Sequence, residues 1–306
     1  MQRDEIKSLL RHSCRHQKPG SAEKQPGLNY FKEFIIIFRK IHEMMKKSLK
    51  VLAFAIALAG LASCGQKPAE FTSVRYDNSF ALEEGASDSI SITMDIEYPE
   101  ISEDERGKAI AAAITGTAFG NGYESLSPAE AMEAWADSLV AEYRESNLSL
   151  KEMLEKNGDK GPFMGMNWEF SNTGTATGTF KDILGYKLVT YSYTGGAHGI
   201  MNETHMNFDL RSGKLLEQED VFAEGFEKQT SKLLMKHLND GKSDDGKISL
   251  LTDSIEPNGN FSIGEEGITF TYNQYEIAAY VFGVIDILIP ADEIKPYLKT
   301  GMNIYD

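Results

Sequence analysis

Between Ile90 and Tyr98 apolar and polar residues alternate without a break. Ile90, Ile92, Met94, Ile96 and Tyr98 fall on one side, and Ser91, Thr93, Asp95 and Glu97 on the other. A period of two places each set on its own face, so the segment is expected to be a half-buried antiparallel strand. The period then lengthens. Ser102 stands three residues before Glu105 and opens an Ala- and Ile-rich run to Phe119, which predicts a helix. Ser127-Pro128-Ala129-Glu130 is a stronger start signal, with proline at the first helical position. Behind it Trp135, Leu139 and Tyr143 recur every fourth residue as a core-facing stripe. Ser149 and Glu152 repeat the cap pattern and predict a short separate helix ending near Asn157-Gly158.

From Trp168 to Leu210 Gly, Thr, Tyr and Val dominate, and three or four strands joined by tight turns are expected. Arg211-Ser212-Gly213-Lys214 is a turn, Phe226 to Leu238 a helix with Leu233, Leu234 and Leu238 on its apolar side, and Asp240 to Lys247 a polar loop. Ile263, Ile268, Phe270 and Tyr272 suggest a hairpin around Glu265-Glu266-Gly267. Val281 to Ile289 is nearly all apolar and reads as a central buried strand stopped by Pro290, with a last short helix over Asp292 to Leu298. This order is α+β: an antiparallel sheet with segregated helices, helix-rich over residues 73–160 and strand-rich over 161–306.

The first 72 residues follow a different logic. Lys46, Lys47 and Lys50 precede an uncharged apolar run from Val51 to Ala62, too short to span a bilayer core of about 30 Å. It ends in Leu61-Ala62-Ser63-Cys64, which resembles a bacterial lipobox, so residues 44–63 are expected to be a lipoprotein signal peptide and Cys64 the lipidated residue. A plain secretory signal is the alternative. Residues 1–43 fit no export signal, and translation is expected to start at Met44 or Met45. Residues 64–72 form a polar tether.

The whole chain of 306 residues carries 31 Lys+Arg and 46 Asp+Glu, a formal charge of −15. Residues 1–63 hold 12 of the basic and 5 of the acidic groups, so the remainder has 19 against 41 and a charge of −22. Such a chain repels nucleic acid, and no nucleic-acid partner is expected. Cys64 is the only cysteine past the leader, which excludes a structural disulfide within one chain.

Familiar catalytic signatures are missing. There is no Gly-x-Ser-x-Gly nucleophile elbow, no P-loop ahead of Gly241-Lys242-Ser243 and no His-Glu-x-x-His. No cofactor and no metal are expected. One segment stands out: Tyr191-Ser192-Tyr193-Thr194-Gly195-Gly196-Ala197-His198-Gly199 sets alternate tyrosines before a diglycine and a histidine. Diglycine permits positive φ and close backbone approach, so Tyr191, Tyr193, Gly195, Gly196 and His198 could shape a binding loop. A tight hairpin whose histidine bonds its own turn is the plainer alternative. Tyr275 and Tyr280, in the aromatic stretch from Tyr272, are placed beside this loop as further binding candidates; core packing would suit them equally.

These motifs, with Asn207-Phe208-Asp209-Leu210, Ser212-Gly213-Lys214 and Tyr275-Glu276-Ile277-Ala278-Ala279-Tyr280, resemble the RsiV-like extracytoplasmic domain family. Ala279 stands where that family often has proline. The resemblance implies an α+β fold and a binding role facing the envelope. Its best understood member is an anti-sigma factor whose outer domain binds lysozyme, and relatives accompany peptidoglycan deacetylase domains. The expectation is therefore a lipid-anchored protein of the outer membrane facing the periplasm. It would be held in the bilayer through Cys64 and recognise a lysozyme-type muramidase or peptidoglycan. The alternatives are a cell-wall hydrolase or deacetylase using His198 as acid or base, and a structural envelope assembly partner.

Overall fold

The computed structural model describes residues 70–100, 104–159, 165–240 and 246–306; Cys64, the signal segment and Ser102 lie outside them. Residues 66–306 form one compact unit. Its larger sheet has the order β1-β2-β3-β4-β5, made by β1 (Phe71–Ala81), β2 (Ser89–Pro99), β3 (Trp168–Phe180), β4 (Ile183–Tyr193) and β5 (Ile200–Asp209). A smaller one has the order β6-β7-β8, made by β6 (Phe261–Ile263), β7 (Gly267–Tyr272) and β8 (Ile285–Pro290). Five α-helices complete the described part: α1 (Glu105–Phe119), α2 (Pro128–Lys156), α3 (Gln218–Val221), α4 (Glu227–His237) and α5 (Ala291–Ile294). The expected α+β architecture is what the chain forms. Among the described residues no helix is long and apolar enough to cross a membrane.

The alternating segment is β2, and its five apolar residues are all buried, none more than 2% exposed. They pack against Ile110 and Ile114 of α1 and Met132, Ala136 and Tyr143 of α2 in one apolar cluster. Both helices belong to the crossover from β2 to β3. A connection of that length returns the chain parallel to where it left, so β2 pairs with β3 in parallel while every other pair is antiparallel. The sheet is thus mixed where pure antiparallel pairing was expected.

Local signals place the helix ends. Ser127 and Glu130 form a reciprocal capping box at the start of α2. The second cap pattern at Ser149 does not break the helix, because Leu150 and Leu154 keep the apolar stripe running to Lys156. At α1 the cap is Asp104, whose carboxylate accepts from the Arg106 amide at 3.1 Å.

The second apolar cluster lies under the small sheet. Phe222 stacks on Phe226 and meets Phe261 and Phe270, in one cluster with Leu234 and Ile287. Val281–Ile289 is not one central strand. Val281 sits in a 3-10 turn at 83% exposure, Gly283 takes φ +68°, and only Ile285–Pro290 is extended. β8 is an edge strand that alternates, with Ile285, Ile287 and Ile289 inward and Asp286 and Leu288 outward. An unbroken apolar run hides that alternation because Leu288 faces out.

The two sheets meet along β5 through side-chain amides. The backbone N–H groups of Met201, Glu203 and His205 donate to Gln274 Oε1, Asn273 Oδ1 and Asn260 Oδ1 at 3.0, 2.7 and 2.7 Å. Asn207, itself buried, donates to Phe261 O and accepts from the Ile263 N–H. The outward amides of Met201, Glu203 and His205 on the edge strand are thereby satisfied.

Candidate partner-binding site

The diglycine loop between β4 and β5 is built by close backbone contact. Gly195 and Gly196 take φ of +91° and +101°. A Cβ on Gly195 would stand 2.5 Å from the Gly165 carbonyl oxygen, whereas one on Gly196 would meet open space. Gly199 lies on the Tyr191 ring so closely that a Cβ there would fall 2.5 Å from a ring carbon. Burial pushes the Tyr191 phenol up, and the nearby Glu169 carboxylate adds to this. Tyr193 turns back, its hydroxyl donating to Gly196 O at 3.1 Å.

His198 leaves this loop and meets the segment after β7. Its ring stacks on Tyr280 with centroids 4.0 Å apart, and Tyr275 closes the group at 6.3 Å from His198 and 5.6 Å from Tyr280. The carbonyl of Gly199 fixes the pair: His198 Nδ1 lies 3.2 Å from it and the Tyr280 hydroxyl donates to it at 3.1 Å. A carbonyl only accepts, so Nδ1 carries the hydrogen there, and in the neutral ring Nε2 faces the Tyr275 hydroxyl at 3.4 Å as acceptor. Tyr275 is held at φ +68°, a strained conformation for an aromatic residue.

Seven candidate residues thus fall into two sets. His198, Tyr275 and Tyr280 form one ring cluster, and Tyr191, Tyr193, Gly195 and Gly196 hold the loop that presents it. The apolar rim escaped the sequence reading. Of ten large hydrophobic side chains exposed among the described residues, Ile200, Met201, Tyr275 and Val281 lie in the segments that build the cluster, Ile200 and Met201 on opposite faces of β5. Leu251, 61% exposed, adjoins it through a bond from its amide to Ile277 O. Ile200-Met201 directly after the turn was the available signal. Neither Leu188–Leu210 nor Ile248–Ile294, the stretches that build the patch, contains a lysine or arginine.

His205 lies apart, on β5. Its Nε2 is buried without a hydrogen-bond partner, 3.8 Å from Glu203 Oε2, which Lys187 approaches at 3.3 Å. Burial drives its pKa below the ordinary histidine value, against the pull of Asp286 and Glu203. Among the described residues no three His, Cys, Asp or Glu are grouped to hold a metal ion.

Two family models match parts of the chain. Residues 85–201 match the model described as deacetylase PdaC, and residues 219–292 match a protein family of unknown function, DUF3298. Solved structures agree. A DUF3298 family member from Bacteroides fragilis superimposes with a TM-score of 0.68 at 25% identity, covering 77% of this chain and 96% of its own. A DUF3298 family protein from Pseudomonas aeruginosa gives 0.55 at 16% identity over 77% and 97%, a likeness of fold. Among curated proteins none matches. The junction between the two matched segments follows Met201, so the ring cluster draws His198 from one and Tyr275 and Tyr280 from the other.

Proposed function

We propose that this chain is a lipid-anchored envelope protein, held through Cys64, that recognises a partner at the His198–Tyr275–Tyr280 surface. One observation carries the reading: a rigid, hydrogen-bonded ring cluster presents the half-exposed Tyr275 ring, with Val281, 83% exposed, directly after Tyr280. Exposed apolar side chains held beside a rigid aromatic cluster suit a contact surface. Aromatic rings with tied hydroxyls offer contact area at low entropic cost. The absence of cationic residues from both patch-forming stretches favours a basic partner, which long-range attraction would speed to the site. A lysozyme-type muramidase is the first candidate, and a peptidoglycan glycan the second.

The match to a deacetylase family model supports the alternative of an enzyme acting on cell-wall material. Its residue of choice, His198, has a carbonyl on Nδ1 where a general base commonly has an orienting carboxylate, so the binding reading is preferred.

Calorimetric titration of residues 66–306 with a lysozyme and with soluble peptidoglycan fragments, at low and high salt, tests this. Saturable heat that Val281→Asp and Tyr275→Ala abolish is the expected result. Continuing heat with glycan, lost in His198→Ala, would transfer the reading to the enzyme. No heat with either would overturn recognition of these partners.

A further inference from the structure

The two edges of the large sheet are treated differently. On the β5 edge the amides of Met201, Glu203 and His205 are covered by side chains, whereas β1 is nearly bare among the described residues. The bonds Glu100 N–H to Glu70 O and Leu82 N–H to Asp88 O bracket the β1–β2 ladder, whose register is continuous from Phe71↔Pro99 to Ala81↔Ser89. Even-numbered residues of β1 therefore exchange hydrogen bonds with β2, and Phe71, Ser73, Arg75, Asp77 and Ser79 turn their backbone groups outward. Among the described residues only Arg144, donating to Ala81 O at 3.3 Å, reaches this edge. The strand has no proline, no bulge and eleven residues, a length that proteins seldom leave open.

We infer that β1 is an interface for a second copy of this chain, pairing antiparallel with its own counterpart about a two-fold axis at Tyr76. The sequence of the strand is self-complementary in that register. Arg75, which already bonds Asp95 of β2 at 3.0 Å, faces Asp77 of the second copy and Asp77 faces its Arg75, so each guanidinium lies between a carboxylate of its own chain and one of the partner copy. Ser73 faces Ser79, Val74 faces Asn78 and Thr72 faces Phe80. The outward groups of residues 73, 75, 77 and 79 then meet those of the same residues, and the two sheets become one of ten strands. Any other register separates the charges: a shift of two residues takes Arg75 away from Asp77. The interface is isologous and closes as a dimer, leaving no further β1 edge to propagate. Both copies are acidic, so association belongs at physiological ionic strength, where a Debye length of about 8 Å screens the long-range repulsion.

Sedimentation of residues 66–306 tests the inference, with circular dichroism as a check on folding. A reversible dimer is expected. Asp77→Arg places arginines opposite one another twice and raises the dissociation constant at least about tenfold. Arg75→Asp places carboxylates opposite one another twice with the same effect, and also sets a carboxylate against Asp95 of its own chain, so its folding is followed separately. The double variant restores the pairs and returns it to within about threefold of the parent. The segment has no native cysteine, which permits a second measurement independent of the charges. Tyr76→Cys places two sulfurs on strands whose Cα atoms are about 4.5 Å apart, within disulfide reach. Ser79→Cys separates them by about 20 Å along the strands. Oxidative crosslinking of the first and not the second supports the register. A monomer at all concentrations, single reversals without effect, or equal crosslinking at both positions would overturn it.

Discussion

His198 and Tyr280 grip the same atom: both hydrogen-bond the Gly199 carbonyl oxygen, at 3.2 and 3.1 Å, while their rings stack 4.0 Å apart. Shared anchoring should couple them energetically. In a double-mutant cycle of His198→Ala and Tyr280→Ala, measured by urea unfolding, the coupling is expected at about 1 kcal/mol. Additive losses would show that the two rings merely neighbour each other.

Tyr275 separates backbone strain from ring contact. At φ +68° glycine is unstrained and alanine is not, so Tyr275→Gly should be more stable than Tyr275→Ala by about 1 kcal/mol. Both lose the exposed ring and should bind partner equally poorly. Equal stability of the two variants would remove the strain from the account.

The paired glycines are distinguishable by the same logic. Both hold positive φ, but only Gly195 lies against the Gly165 carbonyl. Gly196→Ala should cost about 1 kcal/mol and Gly195→Ala clearly more, because strain and overlap add there. Thermal melts of the two variants give the order.

Acid should weaken the protein through His205. Its folded pKa lies below the unfolded value near 6.5 because burial penalises the charged ring. The unfolded chain therefore binds the proton more readily. The stability tied to the neutral ring is complete above about pH 6.5 and falls as pH drops from there toward the depressed folded pKa. His205→Gln should flatten that part of the stability–pH curve. An unchanged slope between the variant and the parent would exclude His205 as its source.

The seam of amides offers a harsher test. Asn260 accepts from the His205 N–H and donates to Glu203 O and Thr271 O, at 2.7, 2.8 and 3.1 Å. Asn260→Ala strands these backbone groups, and a loss of about 2–4 kcal/mol is expected from chemical denaturation. A loss near zero would mean that water replaces the side chain.

Much of this fold is legible in the chain because local signals and burial agree. The period of two in β2 and the capping box of α2 act over a few residues, and tertiary packing reinforces both. β1 is different. Its apolar positions, Phe71, Val74, Tyr76 and Phe80, do not alternate cleanly, because an edge strand needs only half-buried contacts. The direction of the β2–β3 pairing depends on where the crossover helices land, which no short window contains. At the candidate site the glycines and the histidine stand out by their chemistry. Their meeting with Tyr275 and Tyr280 depends on the asparagine seam, which joins residues more than fifty positions apart.

The parallel β2–β3 pairing also sets an order of events. Ile90 through Tyr98 leave the ribosome well before Trp168, their neighbour across the sheet. A chain appearing from its N-terminus can close the β1–β2 hairpin early, yet the sheet stays open on its inner side until both crossover helices and β3 have followed. Non-local closure of this kind is slow relative to hairpin formation. Until β3 arrives the sheet is incomplete, so the strand that follows the crossover acts as the latch that closes it.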